Sequence, residues 1–244
     1  MYEAGNHLLV CADYSDPELH RHSAAHIMIS LEDKIDIIIE KKKTQCRGIV
    51  IPSGIAHTAI TENNKVLVFL FDNTTSVANQ IRTLDILSDE AVNEIVEAYD
   101  CFENSDKSNE SYGKFINCVY NCADIKVMET TIMDKRIVCA QKYIYSKLQE
   151  RISCEDVARH IFLSEGRFSH LFKEQVGMSF SAYLVYQRII KTYTEIINGK
   201  SITEASIEAG FSSSAHFAET NKKLFGLPAS AIKKDLNFYK IAEI

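Results

Sequence analysis

The sequence predicts an α+β protein of two domains, with a β-rich N-terminal half and an all-helical C-terminal half. Three observations carry this reading. The first eighty residues hold short Ile- and Val-rich runs separated by turn formers, and the later residues carry apolar positions at helical spacing. The charge also divides: residues 134–244 sum to +4 and residues 1–133 to −10, within a net charge of −6. A basic module suits a polyanion, and an acidic one suits another task. At 244 residues, with 46% apolar and 25% charged side chains, the chain can bury a core and is not disordered. No apolar run reaches the roughly 18 residues of a membrane span. The start, Met1-Tyr2-Glu3-Ala4, lacks the features of a signal peptide. Seven cysteines without a CxxC pair fit a reducing compartment, so a soluble cytoplasmic protein is expected.

Strands are expected at Ile27–Leu31, Ile35–Ile39, Gly48–Ile51 and Val66–Phe71, with Thr61-Glu62-Asn63-Asn64-Lys65 as a turn. Strands at this spacing suggest a small antiparallel sandwich or barrel over residues 1–80. Helices follow within 88–128. Ser88 caps a helix over Asp89–Phe102, with Ala91, Ile95, Ala98 and Phe102 in register, and Glu103–Ser111 is a loop. Tyr112–Met128 is a second helix with Phe115, Val119 and Cys122 on one side. Cys118 and Cys122 read as small buried hydrophobes rather than metal ligands. The domain boundary falls at 129–134, giving domains 1–133 and 134–244.

From Lys135 the pattern is helical. Ile137, Ala140, Ile144 and Leu148 form one stripe, and Ser153–Asp156 and Ser201–Glu204 read as capping boxes. Ile189, Tyr193, Ile196 and Ile197 lie on a longer helix that stops at Asn198-Gly199. An internal repeat organises this half. Ser164-x-x-x-Phe168-x-x-x-Phe172-Lys173-x-x-x-Gly177 recurs 49 residues later as Ser213-x-x-x-Phe217-x-x-x-Asn221-Lys222-x-x-x-Gly226. Each copy is a short helix, a tight turn and a second helix, the outline of a helix-turn-helix unit. One long helix joins the copies and sets the spacing of two recognition helices on successive major-groove segments.

Val157-Ala158, Leu163-Ser164, Phe168–Lys173, Gly177–Phe180, Tyr183-Leu184, Arg188, Ala209–Ser212, His216-Phe217 and Lys222–Gly226 resemble the DNA-binding domain of the AraC/XylS family of bacterial transcription regulators. The resemblance covers about the last hundred residues. It implies double-stranded operator DNA as partner, and RNA polymerase as a further one. On the first recognition helix it places Gly166, Arg167, Ser169 and His170 toward bases and Lys173 at phosphate. On the second it places Ser213, Ser214, Ala215, His216 and Glu219 toward bases, with Lys222 and Lys223 at phosphate. Glu219 stands where the family usually has a basic residue, Asn221 where it has an aromatic, and the expected proline is displaced to Pro228. The first unit is therefore expected to carry more base discrimination than the second.

Four of the eight histidines fall in one constellation, His20-Arg21-His22-x-x-x-His26 and Pro52-Ser53-Gly54-x-x-His57. Along one strand, His20, His22 and His26 share a face. The pattern resembles cupin metal motifs, with His26 in place of the glutamate, and implies a cupin-like N-terminal β-barrel. Three readings stay open: a divalent metal (Zn, Ni, Cu or Fe), a small-molecule effector pocket, or structural roles. The leading function is an effector-responsive, dimeric transcription regulator, leaning to activation and not an enzyme. The alternatives are a cupin-type metalloenzyme fused to a helical module, and a helical interaction module that has lost DNA binding. A C-terminal domain that folds on its own is also expected.

Overall fold

The computed structural model describes residues 2–4, 7–21, 23–73, 75–126, 134–225 and 239–240. The N-terminal strands are β1 Tyr2–Ala4, β2 His7–His20, β3 Ala25–Ser30, β4 Ile35–Ile39, β5 Lys42–Cys46, β6 Gly48–Ile51, β7 His57–Phe71 and β8 Asp85–Ile86. The helices are α1 Asp89–Glu103, α2 Asn109–Cys122, α3 Lys135–Ser146, α4 Cys154–His160, α5 Glu165–Val176, α6 Phe180–Ile197, α7 Ile202–Glu208 and α8 Ser214–Phe225, and β9 Tyr239–Lys240 follows. No helix among the described residues is long and apolar enough to cross a membrane.

The long strands β2 and β7 pair antiparallel and form the spine of the sheet. β3, β6 and β8 extend from the later half of β7, while β4 and β5 extend from its start. The order β8-β6-β3-β7-β2-β1-β9, with β4–β5 branching from β7, does not close into a barrel among the described residues. The segment 61–65, expected as a turn, lies inside β7. Its polar composition shows instead as a register break. Asp13 pairs with Lys65 and Ser15 with Ile60, so β7 places residues 61–64 opposite Tyr14 alone. An irregularity of this kind bends a strand, and here it separates the two halves of β7 that receive different neighbours.

Side-chain alternation divides the sheet between two cores. Leu67, Phe69 and Phe71 of β7, Leu9 of β2, Ile27 and Ile29 of β3 and Val50 of β6 face the core formed with α1 and α2. Val66, Val68, Leu70, Leu8, Val10, Met28, Ile49 and Ile51 face the opposite way. That second core contains Ile35, Ile37 and Ala59, and also Tyr186, Ile189, Ile190 and Tyr193 of α6, Ala209, Phe211 and Phe217. Gly48 permits the close approach of β6 to α1, since a Cβ there would lie 2.6 Å from Val92.

Ser88 caps α1 by accepting from the Ala91 amide, as expected, and the buried stripe is Val92, Ile95, Tyr99 and Phe102. Ala91 and Ala98 are only half-buried at its margin. α2 starts three residues earlier than expected, because Ser108 caps it. Ile137, Ala140, Ile144 and Leu148 are buried against α4 and α5 in a third core with Phe168 and Phe172. Both capping boxes form, at Ser153 with Asp156 and at Ser201 with Glu204. α6 ends at Asn198, followed by Gly199 at φ 97°. Residues 129–133 of the segment expected to separate the domains lie outside the described residues, as do Gly226 and Pro228.

The C-terminal helices also reach the sheet. The Tyr186 hydroxyl donates to the His7 carbonyl of β2, and the Ser23 amide donates to the Lys223 carbonyl of α8 at 3.1 Å. The expectation of a C-terminal half that folds alone therefore meets a core that α6 and α8 share with β2, β3 and β7.

Candidate nucleic-acid interface

Two helix-turn-helix units are present, α4–α5 and α7–α8, joined by α6. At 1.5 Å per residue the 18 residues of α6 span about 27 Å. Arg188 in α6 ties the units together by donating to the carbonyls of Leu148 and Glu150, both at 3.0 Å. The turn of the second unit packs on the same point. Gly210 has φ 96°, and a Cβ there would lie 2.0 Å from the Leu148 carbonyl oxygen. Only glycine fits this close approach.

In the first unit the repeat spacing turns Phe168, Leu171 and Phe172 inward, while Gly166, Arg167, Ser169, His170 and Lys173 are exposed. Ser164 caps α5, and Gly177 at φ 81° ends it. Two of the outward side chains have local partners that sequence reasoning missed. The Ser169 hydroxyl lies 3.1 Å from the Cys154 thiol across the unit, and His170 Nδ1 lies 3.6 Å from Glu174. Asp134, held at about 2 by hydrogen bonds from Arg136, also feels the more distant Arg167 charge. Spacing of i, i+4 would have revealed the His170–Glu174 pair.

In the second unit Ala215, His216, Glu219, Lys222 and Lys223 are exposed, and Ser213 and Ser214 are half-buried. The Ser213 hydroxyl accepts from the His216 amide at 3.0 Å, so it caps α8. His216 Nδ1 lies 3.0 Å from the Ser212 hydroxyl, which leaves Nε2 for an outside partner. Asn221, which departs from the family's aromatic, is not on this outer face at all. It is fully buried, and its carbonyl accepts from the Tyr193 hydroxyl. The departure belongs to the core. Phe162, exposed at φ 59° in the first turn, was not anticipated either.

The histidines occupy different strands, contrary to the single-strand reading. His20 ends β2, and His26 lies in β3. His57 stands between them, with ring centroids 4.8 Å from His20 and 4.8 Å from His26. His22 lies outside the described residues. Burial lowers the His57 pKa to about 4, keeping the ring neutral, and its Nδ1 lies 2.9 Å from the Ile55 carbonyl. A neutral His57 suits a metal. Yet the ring nitrogens of His20, His26 and His57 do not gather within 4.8 Å of one another, so the described histidines do not form a three-ligand centre.

Residues 157–235 match the family model described as "Helix-turn-helix domain". The chain is 25% identical over 221 residues to "Probable transcriptional regulator LumQ" of Photobacterium leiognathi, covering 85% of this chain and 88% of that protein. It is 29% identical over 105 residues to "Regulatory protein PocR" of Salmonella typhimurium, and 30% identical over 103 residues to the "Arabinose operon regulatory protein" of Escherichia coli. These last matches cover 43% and 41% of this chain, and the chain spans 35% of each of those two proteins. The solved structure of ToxT from Vibrio cholerae shares the fold over 93% of this chain and 97% of its own, with a TM-score of 0.52 at 12% identity. Residues 157–235 therefore carry a helix-turn-helix domain, and the similarity to these relatives supports an AraC/XylS-family transcription regulator.

Proposed function

We propose that this protein is an effector-responsive activator that binds operator DNA through α5 and α8. The carrying observation is the exposure of Arg167, Ser169, His170 and Lys173 on α5, and of His216, Glu219, Lys222 and Lys223 on α8, above fully buried Phe168 and Phe217. Polar donors on a rigid helix face read base edges, while the lysines meet phosphate. Residues 134–244 form the DNA-binding domain and residues 1–133 the sensing domain, a cupin-like fold that holds its effector beside His20, His26 and His57. A relative of the same fold has been solved with an unsaturated fatty acid bound, which supports a small-molecule effector here. The acidic N-terminal half, through α1 and α2, pairs two copies so that two DNA-binding domains act together. The complex recruits RNA polymerase in the cytoplasm.

The test is selection of DNA fragments by the purified chain, followed by binding at several salt concentrations. A shared motif among the fragments, with log affinity falling steeply and linearly with log salt, is the expected result. Recovery of random fragments would leave a helical interaction module instead. Adding candidate effectors to the same assay should change affinity by one factor, and operator DNA should change effector affinity by the same factor.

A further inference from the structure

Outside the two helix-turn-helix units, one cluster of metal-ligating side chains lies between α1 and α2. Glu94 is exposed on α1, and Cys118 and Cys122 are half-buried at i, i+4 on the facing side of α2. One ligand atom from each lies within 4.8 Å of the other two, and among the described residues no other trio of His, Cys, Asp or Glu does this. The sequence-based reading of the two cysteines as plain apolar filler does not account for the carboxylate beside them.

We propose that Glu94, Cys118 and Cys122 bind one thiophilic divalent cation, Zn²⁺ in the cell, and that the ion clamps α1 to α2. The distances suit it. A tetrahedral zinc with a sulfur at about 2.3 Å and an oxygen at about 2.1 Å holds those two atoms about 3.6 Å apart. The Cys122 Sγ lies 3.5 Å from the Glu94 carboxylate. The Cys118 Sγ lies 3.6 Å from the Glu94 backbone carbonyl, which keeps this thiol over the same residue of α1. Two thiolates and one carboxylate are a borderline-soft set that favours zinc over magnesium or calcium. Glu94 is exposed, so an ion can enter from solvent, and the fourth position is left for water. Binding releases one proton from each thiol and forms two Zn–S bonds and one Zn–O bond, so charge and protons balance. The site stands independently of the DNA-binding reading.

The test uses the full-length chain, reduced and freed of metal, titrated with Co²⁺ as a spectroscopic substitute. The expected result is one Co²⁺ per chain, with a thiolate-to-cobalt charge-transfer band that Zn²⁺ abolishes. C118S or C122S should remove that band, while a chain carrying C101S, C139S and C154S should keep it. E94Q should weaken binding at least about tenfold. Zn²⁺ should also raise the melting temperature of the wild type and leave the C118S/C122S chain unchanged. Absence of the charge-transfer band from the wild type would overturn the proposal. So would its persistence in C118S/C122S, or visible cobalt absorption without a thiolate band, which would put the ion on imidazoles.

Discussion

The two helix-turn-helix units are copies of one repeat set in different surroundings. The first closes a core of its own with α3, from Ile137 and Leu148 to Phe168 and Phe172. Among the described residues the second has no separate core: Phe211 and Phe217 belong to the cluster that contains Val66, Val68 and Leu70 of β7. The difference teaches that one repeat can be self-supporting in one place and rest on a neighbouring sheet in the other. It also shows where a signal from the N-terminal half has a path to DNA. The loop after His20 bonds to the end of α8, and the Ser76 amide donates to the Gly177 carbonyl at the end of α5, but only the second unit also shares its buried core with the sheet.

The comparison breaks most directly at the two matched phenylalanines. Phe168→Ala and Phe217→Ala should each cost about 3–5 kcal/mol in denaturant unfolding, because both side chains are fully buried. They should differ in hydrogen exchange. Phe217→Ala should lower protection in β7, and Phe168→Ala should leave it unchanged. Equal patterns would mean that the second unit is as independent as the first.

Acid should act on the sheet side. His57 is held at about 4 and His7 at about 3, both through burial, while an unfolded histidine titrates near 6.5. Because the folded values are depressed, the unfolded chain binds more protons between these limits. The stability is fully present above about pH 6.5 and falls as pH drops toward 4. By pH 5 each histidine should have removed about 2 kcal/mol. Urea midpoints at pH 7 and pH 5 measure this, and His57→Asn should flatten about half of the change. His7 also lies 2.6 Å from the Tyr112 hydroxyl, so its substitution would confound the reading.

The units should also differ in reading DNA. Arg167→Ala or His170→Ala should relax preference at one operator position by about 1–3 kcal/mol, and changes on α8 should relax it less. Fragment selection with each variant decides the ranking. A motif unchanged by the α5 variants but abolished by His216→Ala reverses it. Lys173→Ala, Lys222→Ala and Lys223→Ala should each weaken binding evenly across sequences and reduce the salt slope by about one.

The smallest effect sharpens the role of Gly166. It sits near the start of α5, and a methyl group added there would meet nothing within 4 Å, so Gly166→Ala should stabilise by about 0.5–1 kcal/mol. If DNA affinity falls while stability rises, the backbone there approaches DNA closely. Unchanged affinity would make Gly166 a local device only.

Much of this protein is written locally in its chain. Helix starts were legible because Ser88, Ser153 and Ser201 each satisfy an amide three residues away. The repeat was legible because inward positions such as Phe168 and Phe217 recur at fixed spacing, and their outward neighbours follow from helical geometry. Tertiary structure alone decided the rest. Burial of Asn221 depends on Tyr193, 28 residues away, and the sharing of the second core depends on contacts such as Tyr186 with His7 across 179 residues. Glu94 met Cys118 and Cys122 only when α1 folded against α2. Residues 61–64 stayed in a strand because the parts of β7 on either side of them are paired, to β2 and β4 before the break and to β2 and β3 after it, against the turn preference of their own composition. The physical reason is the same throughout: capping and periodicity act within one or two turns of backbone, whereas burial and side-chain partnership depend on segments that approach only when the chain folds.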